Sequence, residues 1–193
     1  MMKRLINVGW RFYNLYLFNI KGIKHGRRTI VHGHIGLRVW GKVIIGDNCY
    51  ISSGEDMNPL SAKDKGYICV EKGAQLTIGD NCGMSSPRIW AHQSITIGNH
   101  VQIGANCIIL DSDCHSLMYQ YRRDLATDMQ HKEKAPIVIE DDVLVGTNSI
   151  ILKGVTVGAR SIIGAGSIVT KSIPPDCIAA GNPCKVIKQI IQK

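Results

Sequence analysis

Aliphatic residues recur along this chain in steps of six: Ile139, Val145, Ile151, Val157, Ile163 and Val169 form an unbroken series. Each is usually followed by glycine or by a small or acidic residue, and small or apolar residues (Val143, Ser149, Val155, Ser161, Ser167) stand four positions on. The same pattern appears at Ile97, Ile103 and Ile109, at Ile45 and Ile51, and at Ile78 and Met84. A period of six is neither the 3.6 of a helix nor the alternation of a plain strand, so the chain turns at a regular interval. A strand of about four residues and a tight Gly- or Asn-assisted corner fit that interval. Three such pieces close a triangular coil around the aliphatic residue, and coils stack at the β-sheet spacing of roughly 4.8 Å. The fold class expected is all-β, a parallel β-helix. Ahead of it, Leu5 to Ile20 is apolar and aromatic and reads as an amphipathic helical segment within residues 1–28, followed by the repeat domain over 29–193.

Composition agrees: 193 residues carry 20 Gly and only 2 Phe, with Ile and Val supplying most apolar content. Seven cysteines are an odd number without a CxxC pair, and Cys49, Cys82 and Cys107 recur in the contexts Ile-Gly-Asp-Asn-Cys and Ile-Gly-Ala-Asn-Cys. They read as small buried apolar residues, and a reducing cytoplasm is the simplest compartment. The net charge of +8 points to an anionic partner. Basic residues gather at the ends (Lys3, Arg4, Arg11, Lys21, Lys24, Arg27, Arg28; Lys171, Lys185, Lys188, Lys193) without a nucleic-acid-binding motif, so no nucleic acid is expected. The N-terminal stretch is interrupted by Asn7, Arg11, Asn14 and Asn19 and is neither a signal peptide nor a membrane span. Two readings stay open: a helix packed on the domain, or an interfacial helix whose Trp10, Phe12, Tyr13, Tyr16 and Phe18 meet lipid at the inner face of a membrane.

The repeat, the run Ile-Gly-Ala-Gly-Ser-Ile-Val-Thr-Lys (163–171) and the tail Ala-Gly-Asn-Pro-Cys-Lys (180–185) resemble the hexapeptide-repeat acyltransferases, and within them the galactoside, maltose and capsular-sugar O-acetyltransferases. The resemblance spans about residues 40–188. It implies a left-handed β-helix with a short C-terminal helix or tail, a homotrimer with clefts between neighbours, and acetyl-CoA as co-substrate without a metal. Chemistry is expected where the repeat is broken. The first interruption runs roughly from Ser53 to Tyr67 and carries Glu55, Asp56, Asn58, Pro59 and Lys63; the second is the insert 111–136, which opens Asp111-Ser-Asp-Cys-His115.

By resemblance, His115 is the general base that takes the proton of an acceptor hydroxyl, a task suited to imidazole near neutral pH. Asp113 and Asp111, two and four residues before it, are the candidates to orient the ring, with the choice between them open. Ser85 and Ser86 match the place where relatives position an acceptor sugar. His92 and His100 lie near the coil of His115 and are candidate cleft residues. Tyr119, Tyr121, Arg122 and Arg123 are expected to cover the cleft, stacking on a sugar or pairing an anionic acceptor. The resemblance assigns the pantetheine arm to Thr147 and Ala165, with Gly146 and Gly164 keeping the groove narrow; Thr170 and Lys171 follow as cofactor-binding residues, and Lys185 and Lys188 stand at the phosphate end. Many relatives carry Trp where this chain has Leu144. The function expected is acetyl transfer to a hydroxyl of a sugar or polysaccharide precursor, the alternative an N-acetyltransferase of a nucleotide-linked amino sugar. A zinc carbonic anhydrase is disfavoured by the spacing of His92, His100 and His115, and a non-catalytic scaffold by the intact His115.

Overall fold

The computed structural model describes residues 2–54, 57–61 and 64–191, with side chains from Val8 onward; Glu55, Asp56, Lys63 and Lys193, named above, lie outside the described residues. A helix, α1 (Met2–Ile20), precedes three sheets that the chain visits in rotation. The first sheet stacks Lys24–His25, Lys42–Ile45, Gln75–Ile78, Ser94–Ile97, Ile137–Ile139 and Thr156–Val157. The second runs from Ile30–Gly33 through Tyr50–Ser53, Gly83–Ser85, Gln102–Ile103, Leu144–Val145 and Ile162–Ile163 to Cys177–Ala180. The third holds Gly36–Val39, Tyr67–Val70, Arg88–Ala91, Ile108–Leu110, Ile150–Leu152 and Ile168–Val169. These successive strands pair in parallel, as in a β-helix.

The period of six becomes three internal ladders. In register, Ile45, Ile78, Ile97, Ile139 and Val157 face inward from the first sheet. Ile51, Met84, Ile103, Val145, Ile163 and Ala179 do so from the second. Leu37, Ile68, Ile89, Ile109, Ile151 and Val169 do so from the third. Nearly all are buried, and burying an aliphatic side chain of this size contributes about 2 kcal/mol. Asn48, Asn81, Asn106 and Asn148 turn the corners at positive φ, a conformation asparagine tolerates better than most side chains. Cys49, Cys82 and Cys107 are buried thiols just after such corners, donating to the carbonyls of Gly79, Gly98 and Gly146 in the next coil.

The coils begin earlier than the pattern implied: Lys24–His25 already pairs with Ile44–Ile45 in the first sheet. Helix α1 caps this open end. Phe18 enters the core, and the Asn14 side-chain amide donates to the carbonyls of Val31 and Gly33 on the edge strand of the second sheet. At the other end the described residues form no helix; Lys185–Gln189 folds back antiparallel on Cys177–Ala180, so Lys185 and Lys188 project from a strand.

The three outer faces differ. The first sheet presents Lys42, Gln75, Thr77, Ser94 and Thr96. The third presents Ile108, Leu110, Ile150, Leu152 and Ile168, and towards its N-terminal end a groove of 380 Å³ lined by Arg38, Tyr67, Arg88 and Trp90 among others.

Candidate functional site

The insert 111–136 leaves the prism at the corner between the third and first sheets, and its base is pinned shut. Ser112 bridges Lys134, Asp113 N–H donates to the Glu133 carbonyl and Ala135 N–H to the Asp111 carbonyl. Beyond this neck the chain forms a 3₁₀ turn, Tyr121–Arg123, and a short helix, α2 (Leu125–His131), capped by Asp124, whose carboxylate accepts from Thr127 N–H.

Helix α2 delivers the carboxylate that meets the histidine. The imidazole Nδ1 of His115 lies 2.6 Å from Asp128 Oδ2, and Ser116 N–H donates to Asp128 Oδ1 at 2.7 Å. Asp128 is 4% exposed. The hydrogen bond from His115, then that from Ser116, hold its carboxyl below the usual carboxylate range. The His115 side chain is itself 65% exposed, so with Nδ1 committed to Asp128 the open side of the ring is Nε2. A buried carboxylate behind an open imidazole fixes one tautomer and stabilises the ring's charged form, the arrangement a general base requires.

This corrects the expectation that Asp111 or Asp113 orients the ring. Asp111 is fully buried and accepts the backbone N–H groups of His92 and Gln93, at 2.6 and 2.8 Å, tying its coil to the preceding one. Asp113 pairs with Lys153 at 3.4 Å, and Lys153 also reaches Glu133 at 3.1 Å, contacts that raise the lysine's pKa, with the Glu133 bond first. Both aspartates hold the neck. His92 is corrected as well: it lies 6% exposed beneath the insert, its ring tilted against Trp90, with Nδ1 3.1 Å from Lys132 Nζ. Burial, then the Lys132 charge, lower its pKa, which keeps the ring neutral and accepting from the ammonium. Arg122 is spent on the carbonyls of Ser116 and Leu117, at 2.6 and 2.8 Å, and so braces the loop. Tyr119 remains exposed with Arg123 over its ring, and Tyr121 stacks on His131. His100 sits at a corner between the first and second sheets, away from His115.

The other expected residues fall on a different edge. Gly146-Thr147 and Gly164-Ala165 follow strands of the second sheet and turn towards the third. A Cβ on Gly146 would stand 2.4 Å from the Ala165 nitrogen, so glycine is what lets these corners nest. Ser85 and Ser86 lie on this same edge. Ser85 Oγ receives the Asn58 side-chain amide at 3.0 Å. Ser86 is fully buried, with its hydroxyl donating to the Asp64 carbonyl, and so is a corner residue rather than an acceptor contact. The first interruption packs here too, with Asn106 Nδ2 donating to the Leu60 carbonyl. Thr170 and Lys171, by contrast, follow a third-sheet strand and share the edge of His115. Within one chain, then, the histidine and the nested corners stand on separate edges, with the third sheet between them. Asp128 had no signal in the sequence beyond an acidic position on a short, capped helical stretch.

Comparison with known proteins agrees with the fold and the repeat. Residues 136–171 match the family described as the hexapeptide repeat of succinyl-transferase. The chain is similar to the galactoside O-acetyltransferase of Escherichia coli K12, 41% identical over 97 residues that make up 50% of this chain and 45% of that one. It spans about half the length of the curated relatives it matches. Among solved structures, a hexapeptide-repeat acetyltransferase of Vibrio cholerae complexed with acetyl coenzyme A is 27% identical, with 98% of this chain and 84% of that one covered and a TM-score of 0.55. The polySia-specific acetyltransferase NeuO is 34% identical over 87% of this chain and 76% of its own, with a TM-score of 0.50. With its repeat, three-sheet fold and this identity over most of a relative's length, the chain belongs to the hexapeptide-repeat acetyltransferase family.

Proposed function

We propose that the protein transfers the acetyl group of acetyl-CoA to a hydroxyl of a sugar or polysaccharide precursor, with His115 as general base. The observation that carries this reading is the His115–Asp128 pair, an open imidazole backed by a buried carboxylate at the rim of a repeat interruption. Nε2 takes the proton of the acceptor hydroxyl as its oxygen attacks the thioester carbonyl. The tetrahedral intermediate collapses by breaking the C–S bond, and the departing thiolate takes the proton from the imidazolium, giving an acetyl ester and coenzyme A. Asp128 stabilises the charged ring between these two steps.

The donor groove is assigned to Gly146, Thr147, Gly164 and Ala165, with the cations Lys185 and Lys188 towards the phosphate end of this anionic co-substrate. These residues and His115 flank the third sheet on opposite edges, and that sheet bears the most apolar outer face of the three. A threefold assembly with the third sheets around the axis would bury that face and bring the His115 edge of one protomer against the glycine-corner edge of the next. Thr170 and Lys171 would then reach the donor from the protomer that supplies His115, and Ser85 and Tyr119 would face the acceptor across the crevice.

Mixing two inactive variants tests the reading. His115→Ala removes the base, and Ala165→Arg fills the groove at an exposed corner. If each site draws on two protomers, coexpression restores about a quarter of wild-type activity, because one site in four then combines an intact base with an intact groove. No recovery, with trimers formed, would place both halves in one chain and refute the assembly. Hydroxyl and amino sugars offered in parallel decide between O- and N-acetyl transfer, and absence of transfer to both would end the proposal.

A further inference from the structure

The capping helix α1 is apolar on both sides. One face, with Asn14 and Phe18, packs on the first coil. On the opposite face Val8, Phe12, Tyr16 and Ile20 follow one another at intervals of four, a single stripe along a helix, flanked by Tyr13 and Leu15. All six are exposed, Phe12 by 70%, Tyr16 by 62% and Ile20 by 59%. A helix with two apolar faces is normally covered on both. The exposures show that no described residue covers this face. Coverage by the association proposed above is not expected, since that association runs through the third sheet whereas α1 lies over the open end of the stack.

Charge narrows the occupant. Nine basic residues and no acidic one precede Asp47, so the net positive charge of this end exceeds the +8 of the whole chain. Among them Arg11, Lys21, Lys24, Arg27 and Arg28 are exposed, and among the described residues only Arg27 approaches a carboxylate, Asp47 at 3.8 Å. A second copy of so basic a surface would be repelled, whereas an anionic bilayer offers negative headgroups beside an apolar interior. No helix among the described residues is long and apolar enough to cross a membrane. An interfacial helix needs no such length, because it lies in the plane of the surface with one face about 5–10 Å deep.

We propose that α1 is a docking surface for anionic phospholipid, holding the open end of the β-helix against a membrane. In the assembly described above three such ends point the same way, so one particle engages the surface at three places and gains avidity.

Flotation of the full-length protein with phosphatidylcholine vesicles, with and without about 30 mol% phosphatidylglycerol, tests this directly. The protein is expected to float with the anionic vesicles at low salt and to be released at high salt. Phe12→Ser with Tyr16→Ser should weaken partitioning about tenfold or more, and Arg11→Gln with Lys21→Gln and Lys24→Gln by a similar factor on anionic vesicles. Melting temperature and acetyl transfer to a soluble acceptor should stay at the wild-type values in both variants. Equal flotation with and without anionic lipid, or none with either, overturns the proposal. So does a fall in sedimentation mass in the Phe12/Tyr16 variant, which would make another copy the occupant. None of these outcomes touches the assignment of His115.

Discussion

At the edge between the third and first sheets the candidate chemistry is made of side chains. An insert with its own helix lifts His115 clear of the prism, Asp128 comes in behind it from 13 residues further along, and Asp111, Asp113 and Lys153 lock the neck. At the edge between the second and third sheets nothing is added to the repeat around Thr147 and Ala165. There the repeat itself, with glycine at the nesting positions, exposes backbone at a corner. The difference teaches how one scaffold divides its labour. A reacting group needs a tuned environment that a six-residue period cannot supply, whereas a long thin ligand needs only a regular edge with little side chain in the way.

The comparison is broken most severely by His115→Ala. Losing a general base is expected to lower kcat/KM by about 10²–10⁴-fold. Circular dichroism should be unchanged, because the ring is exposed and its hydrogen bond runs to Asp128 in the insert, outside the stacked coils. Steady-state transfer to the best acceptor checks this, and activity within twofold of wild type would remove the histidine from the mechanism.

Asp128→Asn separates the orienting carboxylate from its neighbours. The amide keeps the volume but removes the charge behind the ring, and a loss of about 10–10²-fold in kcat is expected, with KM little changed. Asp113→Asn, which loosens only the Lys153 contact, should alter kcat by less than about twofold. Equal losses in the two variants would mean that the neck, rather than Asp128, sets the ring.

What the sequence disclosed follows the same division. The ladders were legible because a closed coil needs an aliphatic residue at each inward position, and Ile or Val recurs there from Val43 onward. The first coil was not, because Lys24 and His25 pair with Ile44 and Ile45 of the next coil and Arg28 stands where that coil has Asn48, and α1 supplies Phe18 to the core instead. His115 could be singled out because it opens an interruption. Its carboxylate could not: Asp111 and Asp113 are nearer in the chain, but their direction is set by the third-sheet strand they end, which aims Asp111 into the preceding coil. Proximity in sequence misleads wherever an insert folds back on itself.

The corner edge is sharpened by Gly146→Ala. The added methyl meets backbone of the next coil, so the corners must part, at a cost of about 1–3 kcal/mol in stability. KM for acetyl-CoA should rise severalfold in parallel while kcat, set at the other edge, changes less. Denaturant unfolding and donor titration give both numbers, and a fall in kcat at unchanged KM would mean that the two edges are not independent.

The smallest effect is a difference in pH response. His92 is buried under the insert with its pKa lowered below 6.5 by burial first and then by the Lys132 charge, with Lys134 adding to the lowering and Asp111 and Glu71 opposing it. Its folded-state pKa lies below the unfolded one, so the unfolded chain binds more protons between the two values and stability falls as pH drops through that window. Above about pH 6.5 both states are neutral and the effect vanishes. Acidification from about pH 7.5 to about 5.5 should therefore cost the wild type up to about 1 kcal/mol more than His92→Gln. The Thr147–Ala165 edge has no ionisable group at its nested corners, so a Gly146→Ala background should leave that increment intact. Chemical denaturation of the two single variants and the double variant at both pH values gives the cycle. An increment that disappears in the double variant would mean that Gly146 and His92 report on one cooperative unit, and an increment of opposite sign would mean that Asp111 and Glu71, not Lys132, dominate the field at the ring.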